Sequence, residues 1–304
     1  MRCGEQVIAH RSFDLVVLEV YRNDPQYHYS SDDIQGTLSI TEASGLDRAH
    51  RVFIQGFGFS FDRDLNKYVA ACLRELTRLS PEHQQLWSIR EVHIETRLHP
   101  DYVLSALLGQ WPEAVSIYQG FVEELQLINQ MAVAIGWPRL FREDYYQRER
   151  PRGFASLLRP TSREHGEFVL LLDQLMSDNL ERDFFPAEVP RFELITHKDG
   201  VIERRQFGTI KMLETWALNY FRPADPEPIR EMCRTFREVR ALRQRPAHSI
   251  RENEFDQALV RRQRELMVKA YRAVKILRLI LANHPATASV EVPEWLRDGK
   301  ISEL

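Results

Sequence analysis

The proline at position 246 divides one long amphipathic stretch, Pro226 to Pro285, into two helices. It has no N–H to continue the ladder and disfavours helical geometry at Arg245, so the chain must bend at Arg243-Gln244-Arg245-Pro246-Ala247-His248. Upstream, Asp225 can cap the start and Pro228 suits an early position. Ile229, Met232, Cys233, Phe236 and Val239 then recur at three- and four-residue steps, the spacing of one buried face. Arg243, seven residues beyond Phe236, points where that face points, toward a partner and not toward open water. Downstream, Asn253 is the expected cap of a helix running through Phe255, Leu259, Leu266, Ala270, Val274, Leu277 and Leu281 to Asn283-His284-Pro285. That helix would be about 45 Å long, well suited to packing along a neighbour.

The remaining patterns are weaker. Ser12 to Tyr21, with Phe13, Leu15, Val16, Val17, Leu18 and Val20, reads as a buried strand, and Thr37 to Ile40 and Val52 to Phe61 as further strands. Gly56 and Gly58 indicate a bulge or tight bend; no Lys-Ser/Thr follows and no complete GxGxxG is present, so they are not a phosphate loop. Asp64 can cap a helix through Leu65, Tyr68, Val69, Cys72, Leu76 and Leu79. Pro112 to Ile135 carries Val115, Tyr118, Phe121, Val122, Leu125, Ile128 and Met131 at helical steps and stops at Gly136-Trp137-Pro138. Thr161 with Glu164 forms a capping box for a helix through Phe168, Leu171, Leu172, Leu175 and Leu180. Phe192 to Thr196 and Val201 to Phe207 read as a hairpin about Asp199-Gly200, and Leu213, Trp216, Ala217 and Tyr220 as another helix. Helices near 162–183 and 209–221 give the two long helices enough partners for a four-helix bundle.

The residues at the bend resemble the HEPN superfamily, whose signature is an arginine, four to six residues of which the first is usually polar, and a histidine, at the junction of two helices of an all-α bundle. Arg243, polar Gln244 and His248 match it, although Asn, Asp or His is more usual where Gln244 stands. The resemblance covers roughly residues 160–290. It implies a HEPN-like bundle, with the small β-hairpin as an insertion, over 160–285 and does not extend to the first half; together with the patterns above, the expectation is a mainly α protein with an N-terminal α/β to α-helical domain over 1–150 and a surface tail over 286–304 in which Val290, Val292 and Trp295 dock loosely. The resemblance also implies metal-independent cleavage of RNA, without a cofactor, by a homodimer whose motifs face each other. His248 would be the general acid/base, near neutral in its ordinary pKa, and Arg243 the phosphate clamp assisted by Gln244, with Arg240, Arg245 and Arg251 binding RNA. Members of the superfamily often act as toxins or infection-aborting defence effectors.

Two other classes stay open: a non-catalytic module that binds RNA or nucleotide, and a helical interaction protein. The last predicts that Arg243 is salt-bridged. Charge is compatible with the nucleic-acid readings, since residues 226–284 carry 14 Lys/Arg against 7 Asp/Glu in a chain of net charge −3. The alternative is the solvated face of a long helix formed by Arg261, Arg262, Arg264, Lys269, Arg272 and Arg278. His93, Glu95, His99 and Asp101 lack any known zinc spacing. No apolar run reaches the roughly 20 residues that span a bilayer, and the N-terminus does not read as a signal peptide. Three scattered cysteines, Cys3, Cys72 and Cys233, imply neither a disulfide framework nor a thiolate site and fit a reducing cytoplasm. A regulatory partner or ligand at the N-terminal domain is a further open reading, and no phosphate-binding turn supports a nucleotide there.

Overall fold

The computed structural model describes residues 9–41, 44–45, 52–110, 114–146, 150–197, 201–221, 224–244 and 252–303. The chain divides into two compact units: Met1–Ser116 with Ala155–Thr161 and Gly299–Leu304, and Ile117–Phe154 with Ser162–Asp298. The second unit thus begins upstream of the boundary expected near residue 150.

The first unit is built on an antiparallel sheet. Its elements are β1 (His10–Phe13), α1 (Val16–Asn23), β2 (Tyr27–Ser31), β3 (Gln35–Ile40), β4 (Phe53–Phe61), β5 (Lys67–Cys72), α2 (Leu73–Leu76), α3 (Pro81–Ser88), β6 (Arg97–Leu98), α4 (Pro100–Leu108) and β7 (Val115–Ser116). The strands run in the order β1-β5-β4-β3-β2, with β6 pairing β4. Alternation along the strands puts Tyr29, Leu38, Phe57, Phe59, Val69 and Ala71 into one core with Val17, Leu18 and Tyr21 of α1 and Trp87 of α3. The buried Tyr21 hydroxyl is satisfied by His83 Nδ1 at 2.8 Å and by the Trp87 indole N–H at 3.1 Å.

This sheet overturns the expected mainly α class: the fold is mixed α/β, about 49% helix and 18% strand. Two local misreadings account for much of the error. The apolar run after Phe13 is α1, not strand: the Asp14 carboxylate accepts the Val16 N–H at 2.9 Å, and Val17, Leu18 and Tyr21 then share one helical face. Asp64 caps no helix. The Asp62 carboxylate gathers the N–H groups of Asp64 and Asn66, the Asn66 amide and the Tyr68 hydroxyl, closing a tight turn, with Leu65 at φ 62°, that feeds β5. Between Gly36 and Leu38 the β3–β4 register shifts, so that β4 has one residue more than β3 in the Ile54–Phe57 stretch that contains Gly56.

The second unit comprises α5 (Ile117–Ile135), α6 (Ser162–Met176), the hairpin β8 (Phe192–Thr196) and β9 (Ile202–Gln206), α7 (Thr209–Phe221), α8 (Glu227–Gln244), α9 (Ala258–Ala282) and α10 (Glu294–Arg297). The hairpin turn at Asp199-Gly200 lies outside the described residues. Helix α9 packs against α5, α6 and α8, and α8 also packs against α6 and α7, so α5 joins the four helices expected. Ile229, Met232, Cys233, Phe236 and Val239 are all buried, as their spacing requires. Across the α5–α9 seam, buried Glu124 is paired with buried Arg278.

Helix α9 starts later than Asn253. The Asp256 carboxylate accepts the Ala258 N–H at 2.9 Å, whereas the Asn253 side-chain amide oxygen accepts the Arg163 N–H at the start of α6, also at 2.9 Å. The helix is therefore 25 residues, about 37 Å, long. The terminal segment is not merely a tail: Leu296 is buried, and β10 (Ile301–Ser302) pairs in parallel with β7, Ile301 opposite Val115.

Gly58 lies in regular strand opposite Ala70, where an added Cβ would stand 2.2 Å from the ring of buried Tyr102, while one at Gly56 would meet nothing within 4 Å. Gly58→Ala should therefore lower unfolding free energy by about 1–3 kcal/mol. Gly56→Ala should change it by less than about 1 kcal/mol. Urea unfolding of the two variants beside the parent measures both.

Candidate functional site

The last turns of α8 and α6 meet in a four-residue charge cluster. Arg240 and Arg243 stand four residues beyond Phe236 and Val239, so both reach toward the buried side of α8. Asp173 lies in the apolar stripe Val169, Leu172, Asp173, Met176 of α6, with no exposed surface. Just past the helix end, the N–H groups of Ser177 and Asp178 both donate to the Asp173 carbonyl, at 2.9 and 3.1 Å. That turn brings the Asp178 side chain to the same two arginines.

Every carboxylate oxygen of the cluster is used. Asp173 accepts from Arg240 Nε with Oδ1 at 3.1 Å and from Arg243 Nη1 with Oδ2 at 2.7 Å. Asp178 accepts from Arg240 Nη2 at 2.5 Å with one oxygen and from Arg243 Nη1 with the other. The cluster has no net charge. A buried carboxylate needs this compensation, because removing an ion from water costs several kcal/mol unless it is paired and hydrogen-bonded. The bonds to Asp173 and then Asp178 raise the pKa of the Arg243 guanidinium above its already high ordinary value. Arg243 engages only through Nη1: its Nε and Nη2 donors have no partner among the described residues.

The other expected site residues are distributed as follows. Gln244 is the exposed last residue of α8. Arg240 is in the cluster. His248, Arg245 and Arg251 lie outside the described residues. On the two sides of that segment, Arg243 is bonded to Asp173 and Asp178, and Asn253 and Glu254 to the N–H groups of Arg163 and Ser162. The two attachment points on α6, Arg163 and Asp173, are about 15 Å apart along the helix.

Sequence reading missed three residues here. Asp173 had a signal, a charge in an apolar stripe. Asp178 had none, because its place depends on how α6 ends. His165, one turn into α6, also had none: its Nε2 is buried and unpaired among the described residues. Burial, and then the Arg262 charge, hold its pKa below the ordinary histidine value.

In the first unit, buried Glu75 is paired with the more exposed Arg74 and Arg78, at 3.3 and 3.2 Å. Among the described residues no group of three His, Cys, Asp or Glu side chains converges as a metal site. Glu95 is paired with Arg63 at 2.6 Å, and His99 accepts the Asp101 N–H at the start of α4. An open cleft of about 700 Å³ is lined by Phe13, Trp87, Gln84 and His93, with Arg11 and Glu91 paired at 2.8 Å in its wall. Trp87 belongs to the core; Trp137 joins Phe184, Trp216 and Tyr220 in an aromatic cluster of the second unit. Cys233 is a buried free thiol. No helix among the described residues is long and apolar enough to cross a membrane. No protein-family model, curated protein or solved structure matches the chain.

Asp173→Ala should lower unfolding free energy by about 3 kcal/mol, since it strips a fully buried carboxylate from two arginines. Asp178→Ala, at a side chain 40% exposed, should cost about 1 kcal/mol or less by the same urea measurement. A second expectation concerns acid. The folded state keeps His165 neutral by lowering its pKa, so its contribution is complete above the ordinary value of about 6.5 and is lost as pH falls through the lower folded value. His165→Gln should flatten the fall in melting temperature between about pH 6.5 and 5.

Proposed function

We propose that the second unit is a metal-independent endoribonuclease of HEPN type, acting as a homodimer. The observation that supports it is the state of Arg243. This arginine, four residues before Ala247-His248, is tethered through one nitrogen and has two donor groups without a partner among the described residues. A guanidinium held in this way can present a second edge to a phosphate without the entropy cost of ordering a free side chain.

In the reaction, His248 removes the proton of a ribose 2′-hydroxyl, and the resulting oxygen attacks the adjacent phosphorus. Arg243 stabilises the negative charge that builds on the phosphate, and the 5′-oxygen leaves with a proton from a second acid. His248 of a second copy is the natural source of that acid, since one histidine holds one proton. The products are a 2′,3′-cyclic phosphate and a free 5′-hydroxyl. A toxin or defence role in a reducing cytoplasm is the setting that the resemblance to the HEPN superfamily implies.

The ion pairs favour a second reading. Two arginines neutralised by two carboxylates present no net charge to a polyanion, and a salt-bridged Arg243 is what a helical interaction protein requires. Incubation with a structured RNA in excess EDTA separates the two. The nuclease reading expects fragments ending in cyclic phosphate, with the rate reduced at least about 100-fold in His248→Ala. No cleavage by a folded, dimeric parent protein would move the assignment to binding or interaction.

A further inference from the structure

Asp178 and Asp173 touch the same two arginines but are held differently. Asp173 lies on α6 with no exposed surface. Asp178 lies beyond the helix end with 40% of its side chain exposed, and it spans the pair, one oxygen to Arg240 and the other to Arg243. Those two oxygens are placed as the two non-bridging oxygens of a phosphodiester would be when bridging two guanidinium groups. The arginines are themselves about one-third exposed, so the solvent side of the cluster can be reached without unpacking α8.

We propose that Arg240 and Arg243 form a binding site for a phosphodiester anion and that Asp178 is its resident competitor, displaced when the nucleic acid binds. Asp173 stays in place throughout and keeps both guanidinium groups oriented. Displacement exchanges one anion for another, so the two arginines are never left facing each other unneutralised. Asp178 swings into water, where a carboxylate is well solvated, whereas the same exchange at Asp173 would leave a charge buried. With the carboxylate in place the cluster is neutral and discriminates against stray anions. A phosphodiester that bridges both guanidinium groups can displace it. The proposal rests on the RNA-acting reading of this unit but not on catalysis.

The test is binding of a fluorescent, uncleavable 2′-O-methyl oligoribonucleotide to the full chain, followed by anisotropy. Asp178→Asn keeps the shape and removes the competing charge. It should bind about fivefold more tightly than the parent, the value of a partly exposed ion pair, with a salt dependence steeper by about 0.7 in logarithmic slope. Adding Arg243→Ala to Asp178→Asn should abolish the gain. Glu214→Gln frees Arg237 of the same helix from its carboxylate partner and so also removes one negative charge. It should change binding much less. The proposal is overturned if Asp178→Asn binds no more tightly, if Glu214→Gln matches it, or if the gain survives the loss of Arg243; circular dichroism melts confirm that each variant is folded. A gain in binding without any cleavage by the parent would leave this competition standing and remove the nuclease reading. Cleavage without the gain would do the reverse.

Discussion

A carboxylate with no access to water fixes the end of α8. Asp173 occupies a position of α6 that its neighbours Val169, Leu172 and Met176 mark for the core, and such a charge is tolerated only if cations come to it. Arg240 and Arg243 do so because they extend the buried stripe of α8 by one further turn. The pairing therefore sets the register in which the two helices pack. It also places the final turn of α8 against the end of α6. The Glu124–Arg278 pair has the same logic across the α5–α9 seam. One buried ion pair lies at each of the two helix contacts, where mispairing would leave a charge unmatched.

Where the sequence could be read, one local pattern outweighed its alternatives. The five apolar positions of α8 and the capping signal at Thr161 fit nothing but a helix, and the alternation either side of Asp199-Gly200 fits a hairpin. Where reading failed, two patterns were equally good locally. An unbroken run such as Val16, Val17 and Leu18 suits a strand as well as a buried helix, and only the Asp14 bond decides. Leu65, Tyr68, Val69, Cys72 and Leu76 keep helical spacing, yet Asp62 closes a turn that forces strand geometry on the residues after it. Asn253 is a good cap, but for α6 and not for the helix that follows it in sequence. A side chain chooses among N–H groups in space, and chain order does not reveal which are near.

The candidate site divides in the same way. Arg243 was legible because a cation on an apolar face demands an explanation, and the demand for a partner was correct. The identity of the partner was not legible. Asp173 is separated from Arg243 by 70 positions, and Asp178 reaches the cluster only because the turn after Met176 folds back on the Asp173 carbonyl.

The tethered arginine bears on both functional readings because anchoring and catalysis are not alternatives for a guanidinium. A group with five N–H donors can give one nitrogen to a structural carboxylate and still offer its remaining edge, which a lysine cannot do with fixed direction. What distinguishes a structural pair from a poised one is whether the pairing exhausts the donors. For Arg243 it does not, since both carboxylates share Nη1. Arg240 also gives two of its five N–H groups, but from Nε and Nη2, so its bonds are spread over the guanidinium and not gathered on one nitrogen. Arg243, with both bonds on Nη1, keeps its Nε–Nη2 edge whole, the edge from which a guanidinium can give two parallel hydrogen bonds.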